Sequence, residues 1–399
     1  MLYSQSQGEL MEKIVKVRLN EIPHLRSVAF IAVVAQHAIG MFTRTNGINL
    51  SDLVVLSVLF NLMKFAVPMF VFITGLVIFY NYYAEIRVGS YLVKRVREII
   101  IPYVIWAVFY YFYWAWDRAD HAWHDLPSVL LTGSGYYHLW FVAMIFQFYL
   151  LYPLFRLLFK ALQPYLSRER VLVPFLVVLT AFFIWSTVYL INHSSQWHSN
   201  VFGLRGFLNN FDRTFPVWYL YFVLGGVAAL AIGKWRLWVA KVQGWNYVAF
   251  AIGLGWVTYE LAKGINLNAK LPSQFPIYLG VSNSFKLSMI LFTLSSFVLL
   301  YQWAMKWSER DNLLTKLSIL IGKYSYGTFL IHALWLDEVY HVVVDYMPSY
   351  NNTVKALVAV VLCVTLSLVS TMVISKIPFL GALVVGTTGK RQKKPKVSF

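Results

Sequence analysis

The sequence predicts an all-α polytopic integral membrane protein of about ten transmembrane helices with both termini in the cytoplasm, and three observations predict it. Of the 399 residues, 59% are hydrophobic and only 13% are charged, against roughly a quarter charged in a soluble domain. Apolar runs near the ~20 residues needed to cross the hydrocarbon core recur along the whole chain. The basic residues between them crowd onto one side, roughly 23 against 8. The net charge of +17 therefore reads as membrane topology, and nucleic acid is not an expected partner. The single cysteine, Cys363, lies in an apolar run, which rules out an intramolecular disulfide, a CxxC redox pair and a cysteine-based zinc site.

Taken in order, each run is bounded by loop charges of the expected side. The first, 25–42, rises from Lys13, Lys16 and Arg18 and carries Arg26 and His37. It lacks a clear small-residue cleavage pattern, so it is expected to stay in the mature chain rather than leave as a signal peptide. The run 53–82 returns to Arg87, Lys94, Arg95 and Arg97, and 99–116 leaves toward Arg118. The run 139–159 returns to Arg156, Lys160, Arg168 and Arg170; 171–191 leaves toward Arg205 and Arg213; 215–233 returns to Lys234, Arg236 and Lys241. The run 244–262 leaves toward Lys263 and Lys270, and 285–303 returns to Lys306, Arg310 and Lys316. Finally 319–343 leaves toward Lys355, and 354–376 ends on Lys376 and the basic tail from Lys390 to Lys396. Arg26, Lys64 and Lys323 remain at or inside the bilayer. The expected organisation is a cytoplasmic segment 1–24, one membrane domain 25–376 and a basic cytoplasmic tail 377–399 that suits anionic lipid. The polar stretches 117–137, 192–214 and 263–284 have the size of connecting loops.

Ionisable groups within spans are costly and mark candidate sites. Arg26 and His37 are eleven positions apart, about three helical turns, so they share roughly one face, with His37 roughly 16 Å deeper than Arg26. A neutral imidazole at that depth can take a proton from a hydroxyl, and an arginine at the mouth can grip a phosphate or carboxylate. The same spacing equally suits a hydrogen-bonded buried histidine and a snorkelling interfacial arginine. The cluster Lys94, Arg95, Arg97 before Pro102 can bind phosphates or merely obey the positive-inside rule. His138 and Gln147 are polar positions in an otherwise aromatic and apolar span start, and Gly322–Gly327 opens a run that carries His332. His121, His124 and Asp125 form a weak metal-like pattern in an outer loop, and no metal site is expected there. Trp123, Trp197 and Trp218 suit either sugar stacking or interface anchoring.

Together and in order, these features resemble the membrane-bound acyltransferase family 3, over nearly the whole chain. The first span, Arg26-x-x-Ala29-x-x-x-Val33-x-x-x-His37, is similar to that family's Arg-to-His signature, and Val67-Pro68-Met69-Phe70-Val71-Phe72-Ile73-Thr74-Gly75 to its Pro-x-Phe-Phe-x-x-Ser-Gly segment. The cluster before Pro102, the HLWF start at His138 and the GKYSYGTFLIH run ending at His332 also fit. Two departures stand out. Many members have aspartate where this chain has Pro23, and one branch has two glutamates where it has Ile145 and Phe146. No catalytic carboxylate is carried over, so whatever orients His37 comes from elsewhere, and the match is closer to stand-alone polysaccharide acyltransferases without an appended hydrolase-like domain.

The resemblance implies an integral O-acyltransferase of a bacterial plasma membrane. It would move an acyl group, acetyl foremost, from cytoplasmic acyl-CoA to a hydroxyl of a surface or exported polysaccharide or a lipid-linked glycan. Acyl-CoA would be a co-substrate, with no permanently bound cofactor, and polysaccharide-synthesis machinery would be a candidate partner. His37 would be the catalytic base or a transient acyl carrier. Arg26, Lys94, Arg95 and Arg97 would hold the CoA phosphates, and His138, Gln147 and His332 would position the acceptor or the oxyanion. Two rivals come from other classes: a transporter or flippase of a glycan or lipid-linked sugar, and a structural subunit of a secretion assembly.

Overall fold

The computed structural model describes residues 18–45, 48–113, 123–166, 168–193, 208–266 and 277–386. Lys13, Lys16, Asp117, Arg118, His121, Trp197, Arg205, Lys270 and the basic stretch Lys390–Lys396 lie outside them. Among the described residues the chain is all-helical, apart from an isolated bridge between Ile265 and Ile277, and it is a polytopic membrane protein. Each of the ten apolar runs lies on helix: α1 (Glu21–Phe42), α2 (Leu50–Met63) with α3 (Ala66–Tyr82), and the short α4 (Val88–Arg95) leading into α5 (Ile101–Tyr113). After α6 (Leu126–Thr132) come α7 (Trp140–Leu166), α8 (Glu169–His193), α9 (Tyr219–Leu230) with α10 (Ile232–Lys241), and α11 (Gln243–Ala262). The chain continues through α12 (Leu287–Ser308), α13 (Leu313–Tyr346), α14 (Asn352–Lys376) and α15 (Leu380–Val385). Six stretches are long and apolar enough to cross a membrane by length and composition, or seven if the pair α9 and α10, bent by 107°, is one broken span.

Two details depart from the sequence reading. The run 53–82 is broken at Lys64 and Phe65, which end α2 and begin α3. Between α4 and α5, residues Val96–Ile100 form a π-helical turn, an insertion that shifts helix register and recurs at functional sites.

Burial sorts the helices. α1, the α2–α3 stretch and α12 have about two thirds of their span inside the protein, whereas α8 and α14 have about a fifth. The latter present Val173, Val177, Phe182, Trp185, Val361 and Val369 outward, as lipid-facing helices do when hydrocarbon replaces water. Small residues let the central helices approach closely. Gly75 of α3 meets the backbone of Phe222, and Gly225 of α9 meets the backbone of Phe72, so that a Cβ at either would collide with main chain.

Polar ties pin α1 at one end and α2 at the other. Near the start of α1, buried Glu21 accepts from Arg236 of α10 (2.8 and 3.0 Å) and from the hydroxyl of Tyr301 of α12 (2.6 Å). At the opposite end, the Asp52 carboxylate accepts from the backbone amides of Asn352 (2.9 Å) and Thr353 (3.1 Å), anchoring the positive N-terminus of α14 on α2. Glu21 thus fixes the start of α1, which carries both Arg26 and His37, and Asp52 fixes α2 against α14.

Candidate functional site

Two cavities open at different levels of the same helices. α1 contributes Arg26 to one and Val33, Gln36 and His37 to the other; α3 contributes Thr74, Val77 and Ile78 to the first and Val67 to the second. α7 contributes Tyr149 to the first and Trp140 and Phe141 to the second. Phe70 lies between Val67 and Thr74 on α3. Its ring packs tilted on Phe141 at 5.8 Å, and Phe141, which with Phe329 lines the second cavity, meets Phe329 edge to face at 5.5 Å, so that aromatic side chains stand on the side of the second cavity toward the first. The cavity on the side of Arg26, toward the basic loops, is called the inner one and the other the outer one.

The inner cavity, of about 360 Å³, gathers Arg26, Lys94 and Arg95. Arg95 donates to the Tyr82 hydroxyl at 2.9 Å and to Glu98 at 3.3 Å. Its guanidinium carbon lies 5.5, 5.5 and 5.3 Å from the ring centroids of Tyr82, Tyr91 and Tyr149, an aromatic cage that holds the cation by its quadrupole field. Lys94 reaches the same Tyr82 hydroxyl at 3.5 Å. No carboxylate among the described residues pairs with Arg26 or Lys94, so Glu98 offsets only part of the charge. Three cations around one compact opening are suited to a polyphosphate or another anion of high charge. Arg97, within the π-helical turn, is solvent-exposed and lies outside the lining.

The outer cavity, of about 420 Å³, contains half-buried His37 beside buried His138. His332, fully buried, stands behind them. Its ring stacks on His37 with centroids 5.6 Å apart and meets His138 edge to face at 4.8 Å. Tyr137 also lies against His37, tilted, with centroids 4.6 Å apart. Three histidines from α1, from the turn before α7 and from α13 thus form one cluster. His332 Nδ1 contacts the Phe329 carbonyl at 2.5 Å; since a carbonyl only accepts, Nδ1 carries the proton and the buried Nε2, which has no partner, is an acceptor.

A side chain from another helix meets the backbone of α13 beside His332. The Tyr110 hydroxyl of α5 donates to the Leu330 carbonyl at 2.9 Å and accepts from the Leu334 amide at 3.2 Å. It therefore inserts between two groups that would otherwise bond to each other in the i to i−4 ladder, a recognised way of opening a helix. Cys363 adds a weak thiol contact to the His332 carbonyl at 3.3 Å. Sequence reasoning had no means of finding Tyr110, which is 220 positions from Leu330.

Gln147 stands apart from the histidines. Its side-chain oxygen accepts from the Phe215 amide at 3.0 Å and lines a separate pocket with Asn210 and Arg213, which is a structural tie between α7 and the turn before α9. Of the three tryptophans, Trp218 lines the outer cavity but is almost wholly buried and donates to the Asp212 carbonyl at 2.8 Å, whereas Trp123 is exposed. Lys64 and Asp212 also line the outer cavity. Lys64 was visible as an intramembrane charge, the one signal that pointed to it. Among the described residues, no group of three or more His, Cys, Asp or Glu is disposed to hold a metal ion.

Comparison with known proteins adds a family. The model of an acyltransferase domain, acyltransferase 3, matches residues 19–372, the stretch that carries both cavities. Proteins described as probable poly-beta-1,6-N-acetyl-D-glucosamine export proteins from Staphylococcus aureus strains are also similar. Those of strains MSSA476 and MW2 are 23% identical over 264 residues, and that of MRSA252 is 22% identical over 262 residues, in each case 60% of this chain and 70% of the relative. No solved structure matches the chain at a significant level.

Proposed function

The chain belongs to the acyltransferase 3 family and is a membrane acyltransferase; from that premise we propose that it transfers an acyl group, acetyl foremost, from cytoplasmic acyl-CoA to a hydroxyl of an exported polysaccharide. The observation that carries the reading is the division of chemistry between the two cavities: three cations with a single partial counter-charge, Glu98, at the inner level and a cluster of imidazoles at the outer one. The phosphates of CoA match Arg26, Lys94 and Arg95, while the thioester end, which carries no charge, is the part suited to pass the aromatic layer of Phe70, Phe141 and Phe329. Arg97 contributes to the field at the entrance rather than to the cavity.

At the outer level His37 acts as the general base. The acceptor hydroxyl oxygen adds to the thioester carbonyl carbon while its proton passes to the His37 imidazole; the C–S bond then breaks, and the departing thiolate takes that proton. An ester and free CoA are the products. His332 and Tyr137 flank the His37 ring and hold its orientation, the role for which no carboxylate was legible at positions 23, 145 or 146. His138 faces the acceptor. The name of the Staphylococcus aureus relatives points to a β-1,6-linked N-acetylglucosamine polymer as the first acceptor to try.

That same name supports a second reading, export of the polymer. The two are separated by incubating the purified protein with radiolabelled acetyl-CoA and poly-N-acetylglucosamine, wild type beside His37→Ala. Label on the polymer that disappears in the folded variant supports transfer. No label with acetyl-CoA or longer acyl-CoAs, alongside polymer movement into proteoliposomes, would favour export.

A further inference from the structure

Lys64 occupies a position that the proposed chemistry has not yet used. It stands at the break between α2 and α3, in the wall of the outer cavity that also holds His37 and His138. The break is tied to the catalytic helix next to His37: the Gln36 side chain donates to the Met63 carbonyl at 2.8 Å, so the residue just before Lys64 is held by the residue just before His37. No carboxylate among the described residues lies within ion-pair distance of Lys64, although eight other ion pairs form. Its recorded partner is the Phe60 ring, whose centroid is 5.0 Å from Nζ. Asp212 lines the same cavity yet is instead 4.0 Å from Arg213.

A lysine at membrane depth is costly unless it is paired, reaches water or serves a charged species that arrives during function. A cation–π contact offsets only part of the cost of a lysine at a helix centre in the membrane. The break in the α2–α3 run, the Gln36 tie and the cavity wall together keep this cation beside the reacting imidazole rather than letting it snorkel away.

Resting on the acyl-transfer reading above, we propose that Lys64 is a catalytic residue whose ammonium holds the oxyanion formed on the acyl carbonyl. When the acceptor oxygen adds to the carbonyl carbon and His37 takes the proton, the carbonyl π pair moves onto oxygen, and that negative charge is the species for which Lys64 has no resident partner. Collapse returns the pair to the C=O bond, expels the thiolate and leaves Lys64 unchanged. Interactions that appear only in the transition state raise kcat rather than lower KM, and removing one oxyanion-hole donor costs about 10²–10³ in kcat. The rival use of the same cation, gripping an anion already present on the acyl group or the acceptor, would act on KM instead.

The test uses the full-length protein and its lone native cysteine. Cys363 is fully buried against the His332 carbonyl, so a Lys64→Cys variant places its new thiol at the cavity, where 2-bromoethylamine converts it to an aminoethyl-cysteine that restores the ammonium. With labelled acetyl-CoA and poly-N-acetylglucosamine, Lys64→Met and unmodified Lys64→Cys are expected to lose about 10²-fold or more in kcat with both KM values near wild type. Alkylation of Lys64→Cys is expected to recover most of that loss, which a misfolded variant cannot do, and to leave wild type unaffected. A raised KM with kcat intact, unchanged kinetics, or loss without rescue in a variant that remains folded by size exclusion would each overturn the assignment. Absence of transfer in wild type would instead overturn the acyl-transfer reading on which it rests.

Discussion

The inner and outer cavities are built on the same three helices yet differ in chemical character. The inner one concentrates Arg26, Lys94 and Arg95 around a single partial counter-charge, Glu98, and wraps Arg95 in three tyrosines. The outer one presents imidazoles, one of which has its tautomer fixed by the Phe329 carbonyl. A site that binds by charge tolerates water and a broad geometry, because charge attraction falls off slowly with distance. A site that moves a proton needs heavy atoms within hydrogen-bond reach and a ring held in one orientation. The difference explains why the inner cavity uses long flexible side chains near an open helix end, while the outer one uses short rigid rings packed against one another.

The largest effect that sharpens this contrast is expected at His37. Replacing it with alanine should lower kcat by about 10²–10⁴-fold, the usual contribution of a general base, with the KM for acyl-CoA hardly changed; a comparable rise in that KM would mean that the two cavities are not functionally separate. Next, Arg26→Ala should do the opposite. Loss of a charge-assisted hydrogen bond is worth about 1.5–3 kcal/mol, so the apparent KM for acyl-CoA should rise about tenfold or more while the single-turnover rate at saturating donor stays near wild type. Arg95→Ala should act in the same direction, whereas Arg97→Ala, outside the cavity, should change the donor KM less than either.

A smaller effect is expected from Tyr110→Phe, which removes the hydroxyl inserted into α13 without changing the ring. It leaves the Leu330 carbonyl and Leu334 amide to bond to each other, and about 1 kcal/mol of lost hydrogen bonding should appear as a several-fold fall in kcat, with donor KM intact. A fall in donor KM affinity would tie Tyr110 to the wrong cavity. Smallest of all, Gln147→Ala should lower thermal stability in detergent slightly, through the Phe215 amide it leaves unpaired, and leave kinetics within about twofold.

Much of the fold was legible because it follows from one-dimensional signals. The ten apolar runs needed only length and hydropathy, and among the described residues each of them falls on helix. The separation of Arg26 and His37 was legible because helical rise is fixed: eleven residues make about three turns, and the structure assigns the two side chains to two cavities at different levels. The rest depended on tertiary contact. The break at Lys64 has a local cause in Pro68, four positions on, which has no amide to donate to the Lys64 carbonyl and whose ring crowds it; hydropathy alone passes over that signal, so the run 53–82 read as continuous. His138 and His332 join His37 only because α7 and α13 pack beside α1, and nothing local in their sequence distinguishes them from Gln147, which faces another pocket. Arg97 belonged to the same basic cluster as Lys94 and Arg95, and it lies within the π-helical turn, outside the cavity lining.

The central claim, a charged donor held at the inner level and chemistry at the outer one, is tested most directly by transfer across a sealed membrane. Purified protein would be reconstituted into proteoliposomes, with radiolabelled acetyl-CoA confined to one side and poly-N-acetylglucosamine to the other. In the population oriented with the basic loops toward the donor, label should appear on the polymer, and this transfer should be lost in His37→Ala. Label that appears only when donor and acceptor share the same compartment would contradict the two-level account.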